Sequence, residues 1–332
     1  MISTDAFRER MHTKAALLGT IREFFAREDF LEIDTPVALT APAPELHIEA
    51  PSVDVRLPDS TRRRRYLQTS PELPMKRVLA LGFDRIFQIA AVFRDGDLSS
   101  IHRPEFRMLE WYRRNASWMT LIDDCEQLLL SCIRTLATLE FDSPVADTRF
   151  PLPRIQVEQA FKQHAGFSIL GHLDRHSLYR RVVGLGLRPS EDDGWDDLFH
   201  RVFLDRVEPA LLAEHAAFFL THYPAPLASL ARLSPDDPRV AERFELYLAK
   251  MELANGFGEL VDEPEQRRRF TRESEARARA GKAPYPIDEH FLSSLAALPP
   301  SAGIAMGFDR LLLACLGGDD LDDVAFLPWT ET

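Results

Sequence analysis

The residues with the clearest chemical potential lie in one short stretch, where an apolar run ends in Arg94, a polar loop follows, and an alternating run begins after Pro104. Alternation places every second side chain of the later run on one face of a strand. That face holds Phe106, Met108, Glu110 and Tyr112. An aromatic plane, a carboxylate and a phenol beside a guanidinium suit a ligand that combines a flat base, a phosphate and an ammonium group. Each residue alone is also typical of a structural position, so the pattern leaves both interpretations open.

A second cluster lies between residues 243 and 259. If its two apolar runs form a hairpin, Glu245 and Glu252 face one another across it. Like charges directly opposite destabilise a hairpin, so this arrangement is expected where a divalent cation bridges the carboxylates. The alternative is two exposed glutamates that point into water. The expected turn residues, Leu248 and Ala249, are poor hairpin formers, which leaves the register open.

The later run of this cluster carries three more candidates, Asn255, Phe257 and Glu259. Strict alternation puts Glu252 on the opposite face from these three side chains. If all four line one pocket, a β-bulge must lie between them, and Gly256 or Gly258 could support it.

A third cluster is an apolar strand that opens at Gly307 into a helix with Arg310 in its first turn. An arginine at this place adds its charge to the positive end of the helix, which suits a phosphate group. The glycines of the strand allow a ligand to come close to the backbone.

The elements around these clusters predict an α+β fold. The expected helices cover 71–82 (with Pro71 in the first turn), 121–139, 264–281 and much of 155–215; the expected strands cover 85–94, 105–112, 243–248, 251–260 and 303–308. Strands joined by long loops and hairpins, with helices in blocks, are typical of a mainly antiparallel sheet flanked by helices.

Composition narrows the class of protein. The 332 residues contain 40 Lys and Arg against 52 Asp and Glu, a net charge of −12, so a basic nucleic-acid groove is not expected. Three cysteines are too few to crosslink a chain of this length and indicate a reducing compartment. With no signal-peptide pattern and no long apolar run, the sequence predicts a cytoplasmic protein without a membrane partner.

One feature departs from the acidic composition, the basic run Arg62–Arg65. Charge runs are usually the solvated face of a hairpin. The alternative is a surface that docks an acidic partner.

Together the three clusters resemble the motifs of class II aminoacyl-tRNA synthetases. Pro36, after Phe30–Thr35, resembles the first motif, which forms a dimer; Phe93–Phe106 resembles the second and Gly307–Arg310 the third. A closer resemblance is to the lysyl branch. The segments that carry it are Ser70–Leu73, Pro104–Phe106, Glu110–Tyr112 and Ala254–Phe257.

The resemblance covers nearly the whole chain but only the catalytic domain, and a stand-alone domain of this kind is similar to the elongation factor P β-lysine ligase family. Ala305 stands where tRNA-charging lysyl enzymes have glycine, and its methyl group favours a substrate with a shifted amine. The resemblance implies one domain over 1–332, with a helical insertion at roughly 155–215 and no anticodon-binding domain. It also implies a homodimer with no tRNA or DNA partner.

The resemblance further implies ATP and Mg²⁺ as cofactors. Arg94 and Arg310 become the catalytic residues, Arg94 at the α-phosphate and the amino-acid carboxylate, and Arg310 against adenine and the γ-phosphate. The other implied ATP contacts are Asp95, Gly96, His102, Arg103, Phe106, Glu252, Leu253 and Gly307, with Mg²⁺ held by Glu245 and Glu252.

The implied amino acid is (R)-β-lysine, which has two amino groups. The resemblance places Glu72 at the amino group near the carboxylate and Glu110, Tyr112 and Glu259 at the distal ammonium. The remaining implied contacts are Ser70, Pro71, Asn255, Phe257 and Ala305. The implied reaction activates β-lysine as its adenylate and transfers it to a lysine ε-amine of elongation factor P.

Two positions depart from the family pattern. Arg-Asn-Glu of the second motif is Arg94-Asp95-Gly96 here, and the asparagine before Pro-Glu-Phe is Arg103. These departures motivate one alternative, a catalytically silent regulatory paralogue. The other alternative is a synthetase-like enzyme that charges a different carrier or a small molecule.

Overall fold

The computed structural model describes residues 4–329, and the chain forms two compact units. The first consists of Met1–Asp147 and Val261–Thr332, and the second consists of Thr148–Leu260. No helix among residues 4–329 has the length and apolar character needed to cross a membrane.

The first part of the chain contains three helices and six strands. In chain order they are α1 (Thr4–Arg27), β1 (Leu31–Glu32), β2 (Ala38–Leu39), β3 (Ser52–Arg56), β4 (Arg62–Leu67), α2 (Glu72–Ala80), β5 (Arg85–Phe93), β6 (Glu105–Arg114) and α3 (Trp118–Thr138).

The second unit is helix-rich at its beginning and strand-rich at its end. Its elements are β7 (Arg154–Gln156), α4 (Val157–Ala160), α5 (Arg175–Gly184), α6 (Trp195–Val202), α7 (Glu208–Glu214), β8 (Ala217–Thr221), β9 (Arg243–Leu248) and β10 (Met251–Gly258). The chain then returns to the first unit with α8 (Glu263–Arg279), α9 (Glu289–Ser294), β11 (Ser301–Gly307) and α10 (Phe308–Leu316).

The main strands of the first unit follow the order β1–β5–β6–β11, in which only β1 and β5 run parallel. On one side, Phe25 of α1 stacks on Phe87 of β5 at 4.4 Å between ring centroids and meets Trp111 of β6 edge-on at 5.3 Å. Because side chains alternate along β6, the burial of Trp111 in this core directs Glu110 to the other face.

A smaller sheet of the first unit has the order β2–β4–β3. Strands β3 and β4 form an antiparallel hairpin, and all five residues of β3 are exposed. The basic run predicted as a hairpin face is therefore part of β4.

The second unit carries the order β10–β9–β8–β7, antiparallel except for β7 and β8. Its core is built from aromatic rings. Phe218 of β8 stacks on Tyr247 of β9 at 4.8 Å, and Phe199 of α6 stacks on Phe161 at 5.0 Å.

The predicted α+β class with a mainly antiparallel sheet is confirmed, and so are the helices and strands that carry the three clusters. Helices α4–α7 of the second unit lie in the range 155–215 that was expected to be helical, and their status as an insertion stays a prediction. The assignment of residues 1–332 to a single domain stays a prediction.

Candidate active site

The second-motif segment forms β5, a loop and β6, and it brings Arg94 to Phe106. The guanidinium of Arg94 lies over the ring of Phe106, 5.3 Å from its centroid. Its Nε is buried and has no hydrogen-bond partner among residues 4–329. A buried donor without a partner is costly, so this atom is suited to an anionic ligand oxygen.

His102 lies on the loop between the same two strands, with Nδ1 2.8 Å from Ser99 Oγ. Burial lowers the pKa of His102, the positive charges of Arg310 and Arg94 lower it further, and Asp97 opposes them. The imidazole thus shares an electropositive environment with both predicted catalytic arginines.

Arg310 lies in the first turn of α10, as predicted, and Gly307 is the residue before that helix. The Nε of Arg310 donates to the carbonyl of Ile101 at 3.1 Å. This bond joins the third motif to the loop of the second, so the first unit by itself assembles Arg94, His102 and Arg310.

The departure at Gly96 has a backbone explanation. Its φ is +84°, in the left-handed region where L-residues are strained. The glutamate of the family pattern would therefore require a different loop conformation. The neighbouring amide of Asp95 donates to the carbonyl of Glu49 at 2.8 Å, which fixes the start of the loop.

The departure at Arg103 has a different explanation. Its guanidinium pairs with Asp320 and Asp322, the second at 2.9 Å, and it also donates to the carbonyl of His102 at 2.9 Å. In this structure Arg103 therefore holds the loop against residues 320–322, and its charge is already neutralised.

Glu110 is the most deeply buried carboxyl of the first-unit face, with 1% of its surface exposed. It accepts hydrogen bonds from Ser70 Oγ at 2.7 Å and from the Tyr112 hydroxyl at 2.5 Å. Burial, followed by the nearby charge of Glu72, raises the pKa of Glu110 to about 8. A carboxyl held by neutral hydroxyls beside another carboxylate is suited to a cationic ligand.

Glu72 begins α2 directly after Pro71, and its backbone amide donates to Ser70 Oγ at 3.0 Å. Its carboxylate pairs with Lys76, one turn further along the helix, and Lys76 is only 1% exposed. Lys76 is not among the site residues predicted from the sequence. Its four-residue spacing from Glu72, which places both side chains on one helix face, could have indicated the ion pair.

Ala305 of β11 lies directly opposite Glu110 of β6 in the antiparallel register. Opposite residues share a face with Cβ atoms about 5 Å apart. Its methyl group packs, together with Phe106, against the cluster of Ala90, Val92 and Met108, so Ala305 lies near both Phe106 and Glu110.

In the second unit, the prediction that Glu245 and Glu252 face one another is wrong. Glu245 lies opposite Asn255, and Glu252 lies opposite Tyr247. The loop of the hairpin consists of Ala249 and Lys250, with φ of +50° and +64°, and not of Leu248 and Ala249. This two-residue loop with both residues left-handed sets a register that their residue types do not indicate.

The bulge that the common face requires is present, but at Leu253. The register shifts between Glu252 and Ala254, so the bulge brings Glu252 and Asn255 to the same face. Gly256 and Gly258 have another role. A Cβ on Gly256 would lie 2.4 Å from the Phe244 ring, and a Cβ on Gly258 would lie 2.1 Å from a carboxylate oxygen of Glu242. Both glycines are therefore required by close packing against these side chains.

Glu245 is buried and accepts hydrogen bonds from four side chains of its own unit. The donors are Tyr223, Arg243 at 2.8 Å, Tyr247 at 3.1 Å and Asn255 at 3.3 Å. The guanidinium of Arg243 neutralises this carboxylate, and both oxygens are in use. Glu245 therefore does not fit a metal ligand in this structure.

Two other candidates of the second unit, Glu252 and Asn255, have oxygen atoms that a ligand could contact. Glu252 is partly exposed, and Asn255 Oδ1 is a buried acceptor without a hydrogen-bond partner among residues 4–329. Oxygen ligands suit Mg²⁺, so Glu252 fits the metal and Glu245 does not. The guanidinium of Arg243 lies over the ring of Phe257, 5.9 Å from the ring centroid. Glu259 is buried, with 1% of its surface exposed.

The chain is similar to known proteins along most of its length. Residues 1–331 match the family described as tRNA synthetases class II (D, K and N). The chain is 37% identical over 325 residues to a protein of Erwinia tasmaniensis, with 94% of this chain and 92% of that protein covered. It is also 37% identical over 315 residues to a protein of Salmonella paratyphi B, with the same coverage.

Both of these relatives bear the name elongation factor P--(R)-beta-lysine ligase. Since the family match spans nearly the whole chain and the relatives match 94% of it, this protein belongs to the class II tRNA synthetases of the D, K and N type.

Proposed function

We propose that this protein is an ATP-dependent ligase that activates (R)-β-lysine and transfers it to a lysine ε-amine of elongation factor P. The proposal is supported by the names of its relatives and by one structural observation. That observation is the buried Glu110, which is held by two hydroxyls beside the Glu72–Lys76 pair and lies opposite the methyl group of Ala305.

Activation begins at the substrate carboxylate. An oxygen of this carboxylate attacks the α-phosphorus of ATP, and pyrophosphate leaves as the acyl-adenylate forms. No protein nucleophile is needed, so orientation and charge stabilisation supply the rate enhancement. We assign Arg94 to the α-phosphate because its buried Nε has no partner among residues 4–329, and Arg310 and His102 to the outer phosphates.

We assign Glu252 to Mg²⁺, which would neutralise negative charge on the phosphates of ATP when bound. We expect Glu252→Gln to lower adenylation at least 100-fold, since a neutral amide is a weaker ligand than a carboxylate. Titration of MgCl₂ in the exchange assay separates a weaker metal site, which excess Mg²⁺ rescues, from a structural defect. Unchanged turnover at low Mg²⁺ would contradict the assignment.

The two amino groups of the substrate require anionic partners when they leave water. In the first unit these partners are Glu72 and Glu110, and burial, followed by the nearby charge of Glu72, raises the pKa of Glu110 in this structure. A bound ammonium stabilises the ionised form of Glu110, which couples recognition of the amine to loss of a proton.

Transfer completes the reaction. The ε-nitrogen of the neutral acceptor lysine attacks the acyl carbon of the adenylate and loses a proton as the amide bond forms, and AMP leaves with its phosphate oxygen as the bond between that oxygen and the acyl carbon breaks. We expect a homodimer in the cytoplasm, as the sequence predicts.

The test is ATP–pyrophosphate exchange with (R)-β-lysine, α-lysine and norleucine, followed by transfer to purified elongation factor P. We expect exchange to be fastest with (R)-β-lysine and undetectable with norleucine, which lacks the distal ammonium. Exchange with no amino acid would support the silent paralogue, and exchange without transfer would support a different acceptor. Ala305→Gly should narrow the preference for β-lysine over α-lysine, and an unchanged ratio of kcat/KM would contradict the role of this methyl group.

A further inference from the structure

We propose that the hairpin Ser52–Leu67 is the docking arm for the protein acceptor and recognises an acidic surface next to its target lysine. This inference rests on the proposed function, because it assigns a surface to the second half of that reaction. The arm is defined by β3, β4 and the loop between them.

The charge of the arm is opposite to that of the protein. Residues 52–67 contain five arginines and two aspartates, a net charge of +3, in a chain whose net charge is −12. Arg64 pairs with Asp54 at 3.4 Å, whereas the structure of residues 4–329 shows no ion pair for Arg62, Arg63 or Arg65.

The register makes this charge costly for the hairpin itself. Arg56 lies directly opposite Arg62, and like charges in that position are destabilising. Val53 and Val55 lie opposite Arg65 and Arg63 and are 36% and 41% exposed. Exposed valines beside arginines without ion pairs are unfavourable for an isolated hairpin. Such a face is expected where a binding partner covers the valines and supplies negative charge to the arginines.

Both ends of the arm are attached to the candidate active site of the first unit. On one side, Glu49 accepts the amide of Asp95, beside the catalytic Arg94. On the other side, Phe93 donates its amide to Gln68, and Ser70 donates to Glu110. An acceptor bound along the arm is thus held at the edge of the residues that activate the amino acid.

The base of the arm is firmly anchored. Arg277 of α8 is fully buried, pairs with Glu49 at 2.9 Å and donates to the carbonyls of Glu45 and Ile48. Tyr285 lies against this guanidinium and meets Tyr66 of β4 edge-on at 5.3 Å. A clamped base with an exposed outer part suits a rigid docking element that extends about 20 Å from the site.

The occupant we favour is a protein and not RNA. The arginines alternate with valines and aspartate on the two faces, and the arm carries no exposed aromatic ring for base stacking. The net negative charge of the chain also opposes the approach of a polyanion, whereas one acidic patch on a folded partner engages only the arm.

The test uses the double variant Arg63→Glu/Arg65→Glu in the full chain, with Arg272→Glu/Arg279→Glu on α8 as a control of equal charge change. Arg272 and Arg279 have 69% and 71% of their side chains exposed, while Arg63 is exposed and Arg65 is partly exposed. We measure pyrophosphate exchange with β-lysine and, separately, kcat/KM for transfer to elongation factor P. We expect the arm variant to keep exchange within twofold of wild type and to lose at least tenfold in transfer, mostly in KM for the acceptor.

Salt supplies a second measurement. Raising the salt concentration from 50 to 200 mM should weaken acceptor binding by the wild type and the control, and should have little effect on the arm variant. Equal transfer by the two double variants would overturn the inference. So would an equal loss of exchange and transfer, a change of oligomeric state confined to the arm variant, or competition by tRNA for the arm. If the wild type itself shows no exchange with lysine isomers, the proposed function fails and not the docking inference alone.

Discussion

Two buried carboxyls, Glu110 in the first unit and Glu245 in the second, have similar burial but opposite electrostatic settings. Glu110 accepts hydrogen bonds from two neutral hydroxyls and lies near another carboxylate. Glu245 accepts from four donors, one of which is the guanidinium of Arg243 at 2.8 Å. Burial alone therefore does not identify a binding residue, because the distinguishing property is whether the protein supplies the counter-charge.

The consequence for function is direct. Glu245 is neutralised by its own strand and holds β9, β10 and the Tyr223 region together. Glu110 keeps a raised pKa that an incoming ammonium would lower again. We therefore expect Glu245 to contribute to the stability of the fold and Glu110 to contribute to substrate binding.

The largest effect should come from removal of the counter-charge in the second unit. Arg243→Met leaves Glu245 buried with no cation, which is expected to lower the free energy of unfolding by about 3–5 kcal/mol. Chemical denaturation measures this loss. The double variant Arg243→Met/Glu245→Gln should recover much of the stability, and a single-variant loss below about 1 kcal/mol would show that the pair is not electrostatically important.

The next effect should come from Glu110→Gln. The amide keeps the shape of the side chain but cannot neutralise an ammonium, so we expect kcat/KM for β-lysine to fall by a factor of about 30 to 1,000, as for a buried charge pair that loses one partner. The free energy of unfolding should not decrease. Glu105→Gln, on an exposed position of the same strand, is the matched control and should leave the activity unchanged. A loss of stability with normal activity would reverse our assignment of the two carboxyls.

The pH dependence gives a smaller and more specific signature. Glu110 has a pKa of about 8 and must ionise to bind a cation, so kcat/KM for β-lysine should rise up to tenfold per pH unit below pH 8 and then level off. Stability should change in the other direction. Because the folded-state pKa is above the unfolded value, the folded protein holds the extra proton and loses stability as the pH rises from about 4.5 to about 8.

Glu110→Gln should remove both of these trends. Rate profiles and denaturation curves between pH 6 and 9 test them together. A flat wild-type profile across this range would mean that Glu110 does not titrate in the amine-binding step.

The smallest effect concerns the hairpin that positions Glu252. Lys250 has a φ of +64°, so Lys250→Gly should stabilise the second unit by about 1 kcal/mol through relief of backbone strain. Lys250→Ala keeps the strain and removes the amine, which makes it the matched control. A glycine variant no more stable than the alanine variant would contradict the strain argument.

The first-unit face could be predicted from the sequence because it depends on local periodicity. Alternation along β6 placed Phe106, Glu110 and Tyr112 together, and the apolar run before Gly307 placed Arg310 in the first turn of α10. These relations need no knowledge of loop geometry, so the structure reproduces them.

The arrangement of Glu245, Glu252 and Asn255 in the second unit could not be predicted to the same degree. The register of β9 and β10 depends on a turn with two left-handed non-glycine residues and on a bulge at Leu253, and neither has a strong sequence signal. Lys76 was missed for another reason. A lysine on an amphipathic helix is normally solvated, and its burial here follows from its pairing with Glu72.

The pairing of Lys76 with Glu72 means that the carboxylate of Glu72 already has a cationic partner, which any cationic ligand must displace or share. Under the proposed function, the amine of the substrate competes with the buried ammonium group of Lys76 for this carboxylate. An amino acid adds a carboxylate to this cluster of charges, whereas a diamine such as cadaverine adds only positive charge beside a buried lysine. Under the proposed function, the helix turn between positions 72 and 76 is therefore expected to weaken the binding of diamines that resemble the substrate but lack its acid group.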